Sequence, residues 1–146
     1  MIEEKSVKLN CVVRGGDFDT AGEASAKIKR MLQRLGIPAA VIRRAAISSY
    51  EAELNVIIHA DEGELTAEVF PDRTLITVRD RGPGIADIDK ALQEGWSTAP
   101  DYVRQMGFGA GMGLPNMVKC SDTFEIKSEV GSGTTINMSF AHGEDR

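Results

Sequence analysis

Polar and apolar residues alternate through the first segment, Ser6–Val13, and its wealth of Val predicts a β-strand. Arg14-Gly15-Gly16-Asp17 breaks that pattern. The period then changes. From a cap at Asp19 or Thr20 to about Leu35, the apolar positions Ala24, Ile28, Met31, Leu32 and Leu35 fall on one face of a helix. Gly36 ends it. A second helix is predicted over about Ala39–Ala60, with Pro38 near its first turn, where a missing N–H costs nothing. Its expected apolar face is Ile47, Tyr50, Leu54, Ile57 and Ile58.

Two strands follow, Glu64–Phe70 and Thr74–Arg79, joined by Pro71-Asp72-Arg73. A glycine turn at Asp80–Ile85 leads to a short helix over Asp87–Gln93. Residues 95–112 read as irregular, and Gly113–Cys120 as a further helix. Strands Phe124–Val130 and Thr134–Phe140 flank Gly131-Ser132-Gly133. The order is β α α β β (α) loop α β β. Short links between strands suit a mixed, mostly antiparallel sheet, and helices gathered on one face give an α/β fold of the two-layer sandwich kind. With no repeat, low-complexity tract or Pro/Ser-rich linker, the 146 residues are expected to form one domain, 1–146.

Composition narrows the function classes. The 17 basic against 22 acidic residues give a net charge of −5, without the basic footprint expected of a nucleic-acid binder. Aromatic residues are 5%, too few for a base-stacking platform. No apolar run reaches the roughly 18 residues of a membrane helix, and the opening MIEEKSVKLN is no signal peptide. Cys11 and Cys120 stand far apart, at spacings unrelated to the two histidines, which excludes a metal motif. They read as two small buried hydrophobes, and a cytoplasmic location is expected.

Four segments carry chemistry. Gly107, Gly109, Gly111 and Gly113 alternate through one loop, where bare backbone N–H groups can turn toward an anion; a loop with no ligand is the other reading. The dinucleotide spacing fails, because the sixth position from Gly107 is Met112, and no Gly-Lys pair exists for a Walker A loop. Asp80-Arg81-Gly82-Pro83-Gly84 ends a strand with a carboxylate able to accept from an exocyclic amine, or is simply a turn. Glu51 and Asn55 share a helix face at i,i+4: a candidate general base and a hard oxygen ligand for Mg²⁺, or a surface pair. His59 beside them reads as a packing or capping residue. Gly131-Ser132-Gly133-Thr134 is a turn that also places the Thr134 hydroxyl at a strand start.

Glu51-x-x-x-Asn55, Asp80-x-Gly82-x-Gly84, the glycine loop and Gly133-Thr134-Thr135, in that order, resemble the Bergerat-fold (GHKL) ATPases over about residues 20–140. The wording around Glu51–Ala60 and Gly111–Leu114 is similar to the bacterial anti-sigma factor and switch-kinase branch. The resemblance implies an ATP- and Mg²⁺-dependent serine/threonine protein kinase acting on a STAS-domain anti-anti-sigma protein. A sigma factor or a phosphatase would be a further partner, and a homodimer a plausible assembly. Glu51 would act on the attacking hydroxyl and Asn55 would ligate Mg²⁺. Asp80 would accept from the adenine amine, with Gly82 and Gly84 forming the floor beneath the base and Thr134 backing that subsite. Gly107, Gly109, Gly111 and Gly113 would form the hinge and phosphate-contacting end of a lid at about 95–112. Charge and place alone, rather than the resemblance, suggest that Arg104 in that lid meets the γ-phosphate; an exposed loop arginine is the other reading. Two other readings compete: a nucleotide-gated anti-sigma binding module with negligible turnover, and a histidine-kinase fragment serving a separate histidine-bearing substrate.

Overall fold

The computed structural model describes residues 5–93 and 113–143. Five strands form one sheet: β1 (Val7–Arg14), β2 (Glu62–Val69), β3 (Arg73–Arg81), β4 (Thr123–Glu129) and β5 (Gly133–Ala141), in the order β1-β2-β3-β5-β4. The sheet expected as mixed is antiparallel at every pairing among the described residues. Short turns between successive strands favour this arrangement. Helices α1 (Glu23–Arg34), α2 (Ala39–His59) and α4 (Gly113–Cys120) cover one face, and a short α3 (Ile88–Ala91) follows β3.

Strand alternation decides which face is covered. Leu65, Ala67 and Val69 of β2, Ile76 and Val78 of β3, and Ile136, Met138 and Phe140 of β5 all point inward and are buried. They meet Ile28 and Leu32 of α1, Val56 and Ile57 of α2, and Leu114 and Met117 of α4 in one core. The opposite face carries polar residues in register across the sheet. Asn10, Thr66, Thr77, Asn137 and Glu125 form one row, tied by Thr66 Oγ1 donating to Asn10 Oδ1 at 2.7 Å and Thr77 Oγ1 to Asn137 Oδ1 at 3.0 Å.

The start of α1 differs from expectation. Phe18–Thr20 is a 3-10 turn, and α1 begins at Glu23 after Gly22 at φ +99°. Neither Asp19 nor Thr20 caps it. The Glu53 carboxylate of α2, 2% exposed, accepts from the backbone N–H groups of Gly22, Ala24 and Ser25, each at 3.1 Å. A cap from a neighbouring helix thus replaces the local one. The other end follows the sequence: Gly36 at φ +73° donates to Gln33 and Ile37 donates to Leu32, a Schellman closure.

The apolar face assigned to α2 is also corrected. Leu54 and Ile57 are buried, but Ile47 is 39% and Tyr50 36% exposed. Small residues, Ala45, Ser48, Ser49 and Ala52, take the buried positions. They allow α2 to lie close between α1 and α4 over the sheet. His59, expected to pack or cap, is exposed at the last turn. Cys11 is buried as expected and its thiol is pushed up by that burial, whereas Cys120 is only half-buried.

Candidate functional site

Two clusters of polar side chains gather near the C-terminal end of α2. The first grows from the pairing of α2 with α4. Arg44, Ser48, Glu51 and Asn55 fall on one stripe of α2 by helical spacing. Arg44 Nη1 donates to the Cys120 carbonyl at 3.0 Å, and Asn116 Nδ2 donates to Glu51 Oε1 at 3.4 Å. Asn55 lies against Gly113. The helices therefore run antiparallel, with the first turn of α4 on Glu51 and Asn55. A Cβ at Gly113 would sit 3.3 Å from both Glu51 Oε2 and Asn55 Oδ1. Those distances are tighter than ordinary van der Waals contact, so glycine at 113 lets the start of α4 come close to both oxygen acceptors. Ser48 Oγ, fully buried on the same stripe, has no hydrogen-bond partner among the described residues.

The second cluster joins the two glycine turns. Asp80, near the end of β3, is half-buried. Its Oδ1 accepts from the Thr134 backbone N–H at 3.1 Å. Burial raises the Asp80 carboxyl above its ordinary range, and that hydrogen bond pulls it back only in part. Thr134 is buried, with its Oγ1 2.8 Å from Ser128 Oγ. Ser128 accepts from the Ile85 N–H at 2.7 Å and donates to the Gly133 carbonyl at 3.2 Å. The Thr134 hydroxyl is then the donor in the Ser128–Thr134 pair.

Glycine is required where these turns touch. A Cβ at Gly84, φ +74°, would strike the Glu129 carbonyl, and one at Gly133, φ +139°, the Asp80 carbonyl. At Gly82 it would press on Ala60, the residue that ends α2. Gly131 N–H donates to the Pro83 carbonyl at 2.9 Å, closing one turn on the other. Asn55 precedes Ala60 by five residues, about 7.5 Å along the axis. The Asp80 turn and the Glu51–Asn55 pair are therefore placed by the same few turns of α2.

Of the residues singled out in the sequence, Glu51, Asn55, Asp80, Gly82, Gly84, Gly113 and Thr134 lie in these two clusters. Arg104, Gly107, Gly109 and Gly111, with the lid expected at about 95–112, lie outside the described residues. Ser128 and Asn116 were missed. Ser128 did carry a signal, since it continues the inward positions of Phe124 and Ile126 with a polar residue. Asn116 carried none, because its role depends on how two helices pair.

Residues 17–140 match the model of the histidine kinase-like ATPase domain family. An anti-sigma F factor of Heyndrickxia coagulans is 41% identical over 95 residues, covering 60% of this chain and 61% of that protein. The serine/threonine-protein kinase RsbT of Bacillus subtilis is 34% identical over 101 residues, covering 65% and 70%. The histidine kinase domain from the Erythrobacter litoralis EL346 blue-light activated kinase shares the fold at TM-score 0.50 and 16% identity, over 82% of this chain and 60% of that one. The five-stranded antiparallel sheet, the helices on one face and a family match covering most of the sequence agree: the chain belongs to the histidine kinase-like ATPase domain family.

Proposed function

We propose that this chain is an ATP-dependent serine/threonine protein kinase of the anti-sigma regulatory type, with a STAS-domain anti-anti-sigma protein as its phosphoacceptor. The observation that carries this reading is the pair of oxygen acceptors, Glu51 Oε2 and Asn55 Oδ1, both 3.3 Å from the Cβ position that Gly113 leaves vacant. The names of the anti-sigma F factor and of RsbT support the same class. In this proposal residues 1–146 form one kinase domain, with a lid at about 95–112 that includes Arg104, Gly107, Gly109 and Gly111.

In this reading Asp80 accepts from the adenine amine through its Oδ2, because Oδ1 is committed to Thr134. The amide oxygen of Asn55 suits a hard cation, and among the described residues no three His, Cys, Asp or Glu side chains group into a metal site. Asn55 would hold Mg²⁺ there, and the cation would offset phosphate charge. Glu51 takes the proton of the acceptor Ser or Thr hydroxyl as that oxygen bonds to the γ-phosphorus. The bond from γ-phosphorus to the bridging oxygen breaks, and ADP leaves with that oxygen. Positioning and charge neutralisation supply most of such a reaction.

The test is transfer of labelled γ-phosphate from Mg-ATP to purified STAS-domain proteins, analysed for acid-stable phosphoserine or phosphothreonine. Glu51→Ala is expected to lower transfer at least about 10²-fold, with ATP affinity retained. Tight partner binding without phosphoprotein would favour a non-catalytic binding module, and acid-labile phosphate a histidine acceptor.

A further inference from the structure

We infer that Asn116 is a positioning residue for Glu51: its carboxamide holds the glutamate in the orientation that accepts a proton. This rests on the reading of Glu51 as the base. Asn116 lies on α4 one helical turn after Gly113, and its Nδ2 donates to Glu51 Oε1 at 3.4 Å. Glu51 Oε2 lies 3.3 Å from the Cβ position of Gly113, as does Asn55 Oδ1. The carboxylate therefore has Oε1 engaged by Asn116 and Oε2 on the side of Gly113 and Asn55.

Glutamate has three side-chain torsions, so an unrestrained Glu51 would spend much of its time turned away from the acceptor hydroxyl. Glu51 is half-buried on a helix packed against α4. The Asn116 bond supplies a restraint. Buried Leu114 and Met117 hold α4 in the core, which fixes the Asn116 backbone. No other described side chain bonds to Glu51 among the hydrogen bonds and ion pairs found.

Three substitutions separate donation from shape. Asn116→Asp keeps size and form but removes the donor and sets a like charge beside Glu51. Asn116→Ala removes both shape and donor, and Asn116→Gln keeps the donor on a longer arm. In single-turnover transfer to the STAS-domain protein, Asp and Ala are expected to lower the rate roughly tenfold, the scale of one hydrogen bond to a charged group. The Kd for Mg-ATP should stay within about twofold, and Gln should recover part of the rate. A role in packing alone predicts the reverse, with Asp near wild type.

A second readout needs no activity. The Asn116 side-chain NH2 protons, observed by ¹H–¹⁵N NMR of the full chain, should move upfield in Glu51→Ala as the charged acceptor is lost. Wild-type transfer by Asn116→Asp, or unmoved Asn116 resonances in Glu51→Ala, would overturn the inference. Glu51→Gln separates the two levels. Wild-type transfer by that variant overturns the base assignment and this inference with it. A silent Glu51→Gln beside a fully active Asn116→Asp overturns this inference alone.

Discussion

Asp80 shows how one carboxyl is set by two opposed influences. Burial raises its pKa, and the Thr134 N–H lowers it by a smaller amount. The native state thus keeps this proton over a window that starts near the ordinary value of 3.8 and extends upward. Within that window the folded chain binds more protons than the unfolded one, so this group's contribution to stability falls as pH rises. In the proposed function binding runs the other way, because Asp80 would accept from an adenine amine as the ionised carboxylate. ADP affinity should therefore decline on acidification at a pH above that of an ordinary aspartate, while the weaker affinity of Asp80→Asn stays flat across it. Calorimetric Kd values for both proteins across that range check this; parallel curves would remove Asp80 from the base subsite. The main residues here were legible because each motif is local in the chain: Glu51 with Asn55, Asp80 with Gly82 and Gly84. Ser128 left only an indirect trace, a polar residue at an inward strand position facing Thr134 across a hairpin, and Asn116 left none, because it meets Glu51 only through the pairing of two helices.

Between elements, Glu53 does what no local cap does for α1. Three backbone N–H groups converge on one buried carboxylate, joining the start of α1 to the middle of α2. Glu53→Ala would leave those donors unmet in a site with little water, a loss of roughly 2–3 kcal/mol. For a chain of this size that lowers Tm by about 5–10 °C. Scanning calorimetry would check it, and an unchanged Tm would mean that water satisfies the α1 N-terminus. The same contact explains why the helix start was misplaced in the sequence: Asp19 and Thr20 have the right chemistry, but a residue 30 positions after Glu23 supplies the cap. The α2 face was misjudged for a related reason. Periodicity weights large apolar residues, yet close packing against two helices selects Ala45, Ser49 and Ala52 and leaves Ile47 and Tyr50 outside. Strand order also exceeded the sequence, since β5 lies inside the sheet between β3 and β4.

At the scale of the molecule, the two polar clusters belong to different parts of the chain that meet only in the folded state. The Asp80 turn is locked to the Gly131–Gly133 turn, and Gly82 rests on the end of the helix that carries Glu51 and Asn55. A nucleotide reaching from Asp80 to Asn55 would join sheet and helix layers and bind the native state alone. At 100 times its Kd it should add about 2.7 kcal/mol, or roughly 5–10 °C in Tm. Asp80→Asn, with affinity about tenfold weaker, should keep only about half of that gain at the same ATP concentration. Glu51→Gln should keep nearly all of it, because accepting a proton during transfer is no part of holding ATP. Thermal unfolding with and without Mg-ATP reads all three proteins on one scale. Equal losses in the two variants would place Glu51 among the nucleotide's binding contacts and remove the division between the residue that reads the base and the residue that reacts.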